Sequence, residues 1–454
     1  MTAPRTQTRR TGFGGNGPSY QDLLDLDSKP VPASLRRDEP GYFGDADIPV
    51  GRYLSREFHE LEKTRLWSRV WQFACREEVL AEVGDTEVYD ICDTSILIVR
   101  AAPGPDGIKA YYNACLHRGR TLRDARGHVD ELLCPFHGFC WSLNGRLKRV
   151  PSAWDFPQVR PGRFRLPEVR VGTWGGFVFI NPDPDAEPFE AFLGTLPDHF
   201  ARWDFEHRYL QAHVAKKIRC NWKIAQEAFD EGLHLGATHP QSAPYVGDAN
   251  AAVDVYGNYS RQISPSGTPI EDMPGEASEA DILKRMLDVR EGEDLPIPFS
   301  QRSTARDAMA EAGRDRWRQV LGDEADDISD AELVDHWNYA VFPNLHPWGG
   351  YNRIVYRFRP NGDRHDESIF EVMFLTPYRG ERPPTAQVTQ LDFGEPWTNA
   401  PELQTLGLVM EQDTFNMEAV QRGLETTRRQ YVTASKFQEG MITWRHDLLT
   451  KWIG

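Results

Sequence analysis

The chain has 454 residues, 40% apolar and 26% charged, enough to bury at least one large core and to build two or three domains. Its 68 acidic residues outweigh 52 lysines and arginines, for a net charge of −16, which excludes a nucleic-acid surface of clustered cations. No segment approaches the roughly 18–20 consecutive apolar residues of a membrane span; Ile96–Val99 is typical of the short runs present. Met1–Ser19 is polar and lacks the apolar stretch of a secretory signal, so the cytoplasm is the expected compartment. There, six cysteines point to ligand or core roles rather than to a disulfide framework.

Residues 1–45, rich in Gly, Pro, Asp and Arg, read as an N-terminal arm that docks late or loosely. Over 53–72, Phe58, Leu61, Leu66 and Trp67 fall near helical spacing and predict a helix entering the first domain. From about 75 to 185 short β-runs take over: Ser95–Val99, Ala110–Tyr112, Arg163–Leu166 and Gly176–Ile180. Turns at Pro103-Gly104, Asn144-Gly145 and Pro161-Gly162 separate them, which predicts an all-β domain over 46–185. In 186–454, helical stretches (215–238, 278–288, 304–321, 403–431) flank strands near 338–343, 352–359 and 368–376. That order is α+β, an antiparallel sheet flanked by helices, rather than regular βαβ alternation. The stretch 265–335, proline-rich and then highly charged, reads as an inserted lid or surface excursion.

Within the β-domain, Cys115-Leu116-His117-Arg118-Gly119 is followed by Cys134-Pro135-Phe136-His137-Gly138, a C-x-H, sixteen residues, then C-x-x-H. Four such ligands on paired loops suit tetrahedral zinc or an iron–sulfur cluster. A zinc finger usually pairs Cys with Cys and His with His. Here each loop carries one of each, as a Rieske [2Fe–2S] centre requires, with thiolates on one iron and imidazoles on the other. The run CLHRG…CPFHGFCW resembles the Rieske motif of ring-hydroxylating and related oxygenases, through Trp141, Asn144-Gly145 and Val150-Pro151 to Gly175–Phe179. The resemblance implies that Gly119 and Gly138 let backbone amides approach the sulfides; Cys140 has no matched role and reads as structural.

A second constellation lies downstream, where His234 and His239 stand five residues apart. On an ideal helix that is a rotation of about 140°, so the pair converges only where a helix ends or loosens, as Gly236 and Pro240 allow. Asn221–His239 resembles the segment that supplies the mononuclear iron of Rieske oxygenases. The resemblance implies a 2-His-1-carboxylate triad on Fe(II), with Asp413 as third ligand on a C-terminal helix and Glu411 as the alternative. An exposed acidic helix face is the plain reading of both. It also implies that Glu231, or its neighbour Asp230, links the iron site to the Rieske cluster of an adjacent subunit, usually in a homotrimer. Ala228 and Leu233 depart from the usual Asn and Tyr, making the substrate side more apolar or roomier. Glu at the bridge position leans towards amine- and alkyl-oxidising branches.

Seven cations (Arg118, Arg120, Arg123, Arg126, Arg146, Lys148, Arg149) face only Asp124, Asp130 and Glu131 between 118 and 149. They read either as a basic collar for an acidic ferredoxin or reductase or as internally paired arginines. No Gly-rich dinucleotide fingerprint is evident, so electrons from NAD(P)H are expected through a separate ferredoxin and/or reductase. The implied activity is O2-dependent hydroxylation, dioxygenation or dealkylation of a small apolar organic substrate such as an aromatic hydrocarbon, with or without a small β-subunit. The alternative is a Rieske electron carrier that turns nothing over. Pocket candidates are Phe229 and Leu233, which flank the ligands, with Phe342, Asn344, Met410 and Phe415.

Overall fold

The computed structural model describes residues 18–36, 44, 46–160, 162–273, 277–290, 293–300 and 302–454. A strand alternates its side chains between two faces, yet Ile96, Leu97, Ile98 and Val99 are all buried. The strand Thr94–Arg100 therefore has a core on each side. Ile96 and Ile98 join Phe73, Phe177 and Phe179 in the main core. Leu97 and Val99 join Tyr111, Trp141 and the two motif cysteines, Cys115 and Cys134. This strand sits in an antiparallel sheet of seven, in the order Gln72–Arg76, Phe177–Asn181, Glu168–Trp174, Ile108–Tyr112, Thr94–Arg100, Asp85–Ile91 and Gly127–His128. A smaller sheet of three (Leu132–Leu133, Cys140–Trp141, Leu147–Arg149) shares the second core. Arg163–Leu166 is not a strand. Pairing waits until after Pro167, which has no N–H to give, and runs over Glu168–Trp174.

The second half is built on an eight-stranded sheet, and together the two halves confirm the α+β expectation. Its order is Ala252–Tyr256, Tyr259–Ser264, His336–Val341, Leu345–Pro347, Ile354–Pro360, Ser368–Pro377, Arg208–Ile218 and Val388–Leu391. Neighbours are antiparallel except the last pair, which is parallel. The helix expected from 215 begins instead as the long strand Arg208–Ile218, because Leu210, Ala212, Val214 and Ile218 are buried at period two. Lys216 fills the gap in that period, buried with its Nζ 5.9 Å from the centre of the Trp397 ring. The helix starts only at Trp222, where Asn221 accepts from Lys223 N–H (3.0 Å).

The helical run expected over 53–72 is present as Gly51–Leu54, Arg56–Leu61 and a wider turn over Glu62–Trp67. It packs on both halves: Leu66 and Trp67 share the main core with Phe73 and Ile96, and Lys63 pairs with Asp93 beside the cluster-bearing sheet (2.8 Å). Glu62 and Lys223 form a fully buried ion pair at 2.6 Å, and the Trp67 and Trp222 rings stand 5.2 Å apart. Ile48–Pro49 also pairs with Tyr431–Val432 near the chain's other end. Residues 46–70 thus tie the β-domain to 186–454.

The described part of the arm is docked, not loose. Tyr20, Leu24 and Leu35 are buried, and the Tyr20 hydroxyl donates to Asp335 (2.8 Å). A capping box of Ser19 and Asp22 closes the short helix Tyr20–Leu24. Arg306 then ties the arm to 265–335 by holding both Asp27 (3.1 Å) and Asp335 (2.9 Å). That excursion has its own small core around Ile282, Leu283, Ala305 and Ala308. The other residues of the arm and Pro161, with 274–276, 291–292 and 301 of the excursion, lie outside the described residues. Among the described residues no helix is long and apolar enough to cross a membrane.

Replacing Glu62 with Ala leaves the Lys223 ammonium buried and unpaired, which should lower stability by about 3–5 kcal/mol in urea unfolding. The double variant Glu62→Leu/Lys223→Met should recover most of that loss. An equal loss in both variants would show that the pair contributes through packing rather than charge.

Candidate metal centres

The two cysteine–histidine loops repeat one backbone design. Cys115 N–H donates to the Arg120 carbonyl and Cys134 N–H to the Phe139 carbonyl, each at 2.8 Å. Gly119 and Gly138 N–H return to the cysteine carbonyls at 2.9 and 3.0 Å. Both glycines have positive φ, +77° and +73°, where a side chain would be strained. Asn113 braces the first loop by accepting from the N–H groups of Leu122 and Arg123, both at 3.0 Å. The loops meet so that the His117 and His137 rings stand 4.6 Å apart, with Phe139 stacked on His117 at 4.6 Å and 13°. Cys115 and Cys134 are buried side by side; burial pushes the Cys115 thiol up, while the N–H groups of His117 and Arg118 favour its thiolate. His117 Nδ1 is shielded from solvent and has no hydrogen-bond partner among the described residues. Two adjoining thiols, two facing imidazoles and an orphaned buried ring nitrogen suit a [2Fe–2S] cluster. Cys140 lies apart, its Sγ 3.8 Å from the Trp141 carbonyl, in keeping with a structural role.

The second centre rests on a helix of one turn. Leu235–Thr238 has His234 at its N-terminal flank and His239 at its C-terminal flank, and the two rings stand 5.2 Å apart. Asp413, buried on the long helix Leu406–Thr426, faces both. Its Oδ1 lies 2.8 Å from His239 Nε2 and 3.8 Å from His234 Nε2. His234, His239 and Asp413 offer donor atoms all within 4.8 Å of one another, and theirs is the one such group among the described residues. Glu411 is not part of it, because its carboxylate accepts from Trp397 N–H at 2.9 Å. The free ring nitrogens are committed elsewhere: His234 Nδ1 to Glu231 (2.6 Å) and His239 Nδ1 to Gln412 (2.8 Å). Those bonds turn both Nε2 atoms towards Asp413, and a set of two imidazoles and one carboxylate fits Fe(II). Gln412 has no spacing signal, since 173 residues separate it from the histidine it orients.

The adjacent acids Asp230 and Glu231 divide cleanly. Asp230 is fully buried, with Arg445 donating to it at 2.6 and 2.8 Å, and burial holds its carboxyl up against the pull of that guanidinium. It is a structural ion-pair member and does not reach the triad. Glu231 touches the triad through His234. Of the pocket candidates, Phe229 and Met410 lie in the core that also holds Tyr356, Phe370 and Trp397. Leu233 is half exposed and Phe415 faces solvent at 73% exposure. Phe342 packs against Trp444 in the other core. Asn344 points away to the β-domain, accepting from Phe73 N–H (3.0 Å) and donating to its carbonyl (3.1 Å). Phe342, Asn344 and Phe415 are therefore not pocket residues of this chain.

Four of the seven collar cations are paired: Arg120 with Asp124, Arg126 with Glu87, and Lys148 and Arg149 with Glu131. Arg118 lies over the exposed Phe136 ring at 5.6 Å, and Arg146 is exposed. Neither has a carboxylate partner among the described residues.

Comparison with known proteins matches residues 70–160 to the Rieske [2Fe–2S] domain and residues 199–454 to the ring hydroxylating alpha subunit (catalytic domain). These domains imply a Rieske cluster and a mononuclear iron as the cofactors. The large oxygenase component of salicylate 5-hydroxylase from Ralstonia sp is 31% identical over 211 residues, 43% of this chain and 49% of that protein. The carnitine monooxygenase oxygenase subunit of Escherichia coli (strain K12) is 28% identical over 219 residues, 47% of this chain and 58% of that protein. The chain spans about half the length of the curated relatives it matches. Among solved structures, the apo form of the quaternary ammonium Rieske monooxygenase CntA superposes with a TM-score of 0.62 at 16% identity, over 90% of this chain and 95% of that one. Naphthalene 1,2-dioxygenase with indole bound gives 0.63 at 16% identity, over 92% and 94%. Both likenesses concern the fold. The catalytic-domain match sets aside the alternative of an electron carrier alone.

Purified protein should hold about three irons and two acid-labile sulfides per chain. His234→Ala with Asp413→Ala should lower iron to about two and leave sulfide unchanged, as read by elemental and sulfide analysis. Loss of sulfide in step with iron would break the assignment of two separate centres.

Proposed function

The chain belongs to the family of ring-hydroxylating alpha subunits, and from that premise we propose that it is the terminal oxygenase of a multicomponent Rieske non-haem iron system. The observation that carries this reading is the convergence of His234, His239 and Asp413 within 4.8 Å. Cys115, His117, Cys134 and His137 would hold the cluster, and the triad would hold Fe(II). Bound there, the cluster supplies single electrons and the iron a site for activating O2.

The chain's own residues prepare both. Glu231 accepts the His234 Nδ1 proton and Gln412 that of His239, which fixes each tautomer with Nε2 free to ligate. Glu231 is the proposed link to a partner subunit's cluster in a homotrimer, with or without a small β-subunit. Asp230 is not, being spent on Arg445. Electrons come from NAD(P)H through a reductase and/or ferredoxin that approaches the cluster beside Arg118 and Arg146. The substrate is a small organic molecule bound against the aromatic side chains near the triad. Salicylate and carnitine, in the names of the two relatives, mark the span of the family rather than this chain's preference. All six cysteines are unpaired, as suits a reducing compartment, and the cytoplasm is the proposed setting.

With a surrogate reductase, NAD(P)H-driven O2 uptake should rise on adding a suitable organic substrate. His239→Ala should cut that uptake at least about 100-fold, and Glu231→Gln about 10–100-fold. The reduced-cluster signal should persist in both, and uptake unchanged in His239→Ala would sink the proposal. Charge reversal at Arg118 and Arg146 should slow cluster reduction by an acidic ferredoxin about tenfold at low salt, with the difference fading as salt rises. A rate equal to that of the unaltered protein at low salt would remove the docking role.

A further inference from the structure

The sheet face beneath the iron-bearing segment carries polar atoms that no described residue satisfies. Gln262 pairs across the sheet with Asn338, and Asn338 with Trp348, so the three side chains share one face. That face is turned to the segment bearing His234 and His239, because Asn338 Nδ2 donates to the Phe229 carbonyl. Gln262 lies against the same segment: with its carboxamide turned to suit its neighbours, its nitrogen donates to the Asp230 carbonyl (3.3 Å) and its oxygen accepts from Gly232 N–H (3.1 Å). Tyr356 continues the wall, its ring 4.7 Å from Phe229 and 6.0 Å from Trp348, close enough to Asp413 to feel its charge.

Within this wall Asn338 Oδ1 and Trp348 Nε1 are both shielded from solvent and both without a hydrogen-bond partner among the described residues. The Asn338 carboxamide cannot be turned round, since its nitrogen is committed to a carbonyl. Its oxygen is an acceptor only, and the indole nitrogen is a donor only. Buried polar atoms without partners are costly and uncommon. Two of opposite sense on bridged positions beside a metal triad form an edge complementary to a ligand that offers one acceptor and one donor. The edge itself carries no charged side chain among the described residues, and the nearest carboxylates, Asp413 and Glu231, are held by His239 and His234. Lys223 and Arg445, behind the iron-bearing segment, are committed to Glu62 and Asp230. His336 and His346, on the same face, are held towards the neutral form by burial.

We infer that the site selects a neutral, flat molecule whose acceptor meets Trp348 Nε1 and whose donor meets Asn338 Oδ1, with its ring against Trp348, Tyr356 and Phe229. Aromatic carboxylates and quaternary ammonium ions lack a charge partner on this edge. The inference rests on the reading of the triad as the oxygenase iron site and deepens it by naming the substrate class.

Anaerobic calorimetric titration of the iron-loaded protein tests it with four probes (salicylamide, 2-methoxy-N,N-dimethylbenzamide, salicylate and benzyltrimethylammonium) and with toluene as an apolar control. Salicylamide should bind about tenfold or more tighter than each of the others. Trp348→Phe keeps an aromatic ring and removes the donor, so it should weaken salicylamide about five- to tenfold and leave toluene unchanged. Asn338→Leu should weaken salicylamide and leave the dimethylamide unchanged. Equal affinity for salicylamide and the dimethylamide, tighter binding of either ion, no binding of salicylamide, or a Trp348→Phe effect equal for salicylamide and toluene would each overturn the inference. The four-probe comparison uses the unaltered protein, so a poorly folding variant does not spoil it. Salicylamide binding without O2 uptake on any substrate would count against the oxygenase reading and leave this one standing.

Discussion

One short helix constrains the rest of the molecule. Leu235–Thr238 makes a single turn between His234 and His239. In a continuous helix residues five apart diverge by about 140°. Stopping after one turn lets His239 leave helical geometry (φ −121°, ψ 60°) and bring its ring to 5.2 Å from His234. The third donor lies 174 residues further on, so the helix Leu406–Thr426 has to be fixed against that turn. Trp397 does this from outside the helix, its backbone N–H donating to Glu411 and its indole N–H to Thr414 (2.8 Å). The donors on one side of Asp413 and the anchors on the other leave its carboxylate a single facing.

The C-terminal helix Gly440–Ile453 supplies the backing. Its consecutive residues Arg445 and His446 grip Asp230 and Glu227, three apart at the exit of the helix Trp222–Glu227. The Arg445–Asp230 pair is fully buried and cannot be halved without stranding its partner, while His446–Glu227 is part-buried. Gln226 adds a third tie by donating to the Pro343 carbonyl (2.9 Å) and meeting His346 Nε2 (2.8 Å). The segment entering the iron site is thus held from behind by side chains that never touch the metal ligands. Rigidity of this kind lets three soft contacts converge without strain.

The cluster loops were the most legible part of the sequence, because their chemistry is local: cysteine, histidine and glycine sit within five residues of one another in each loop. His234 and His239 were legible only beside that motif, since their spacing fits no regular helix. The strand Arg208–Ile218 was hidden by Lys216, which breaks the apolar alternation while burying its stem. The docked arm was hidden because Tyr20 and Ser28 bind Asp335 and Asp330, some 300 residues away. Phe342 and Asn344 show a different limit. Where both faces of a sheet are buried, composition cannot tell which side chains face the site, and Asn344 turned to the strand Gln72–Arg76 instead. Asn338 and Trp348 face the site on the same sheet, and no spacing in the sequence marks them.

The same division of faces bears on the proposed bridge. Glu231 accepts from His234 twice, through Oε1 from the ring (2.6 Å) and through Oε2 from the backbone N–H (3.0 Å). An ionised carboxylate has about four lone-pair sites, so about two remain open. Asp230, its neighbour, is sealed to solvent, whereas the Glu231 side chain keeps 11% exposure at the rim. Of two adjacent acids, one is therefore spent inward on the frame and the other retains capacity outward. A second imidazole arriving from outside could bond Glu231 without displacing His234. Within the cluster domain, His137 adjoins the exposed Phe136 at a loop tip, while His117 is packed beneath Phe139 and Phe156. In the proposed bridge the outward imidazole would meet the lone-pair sites that His234 leaves open on Glu231.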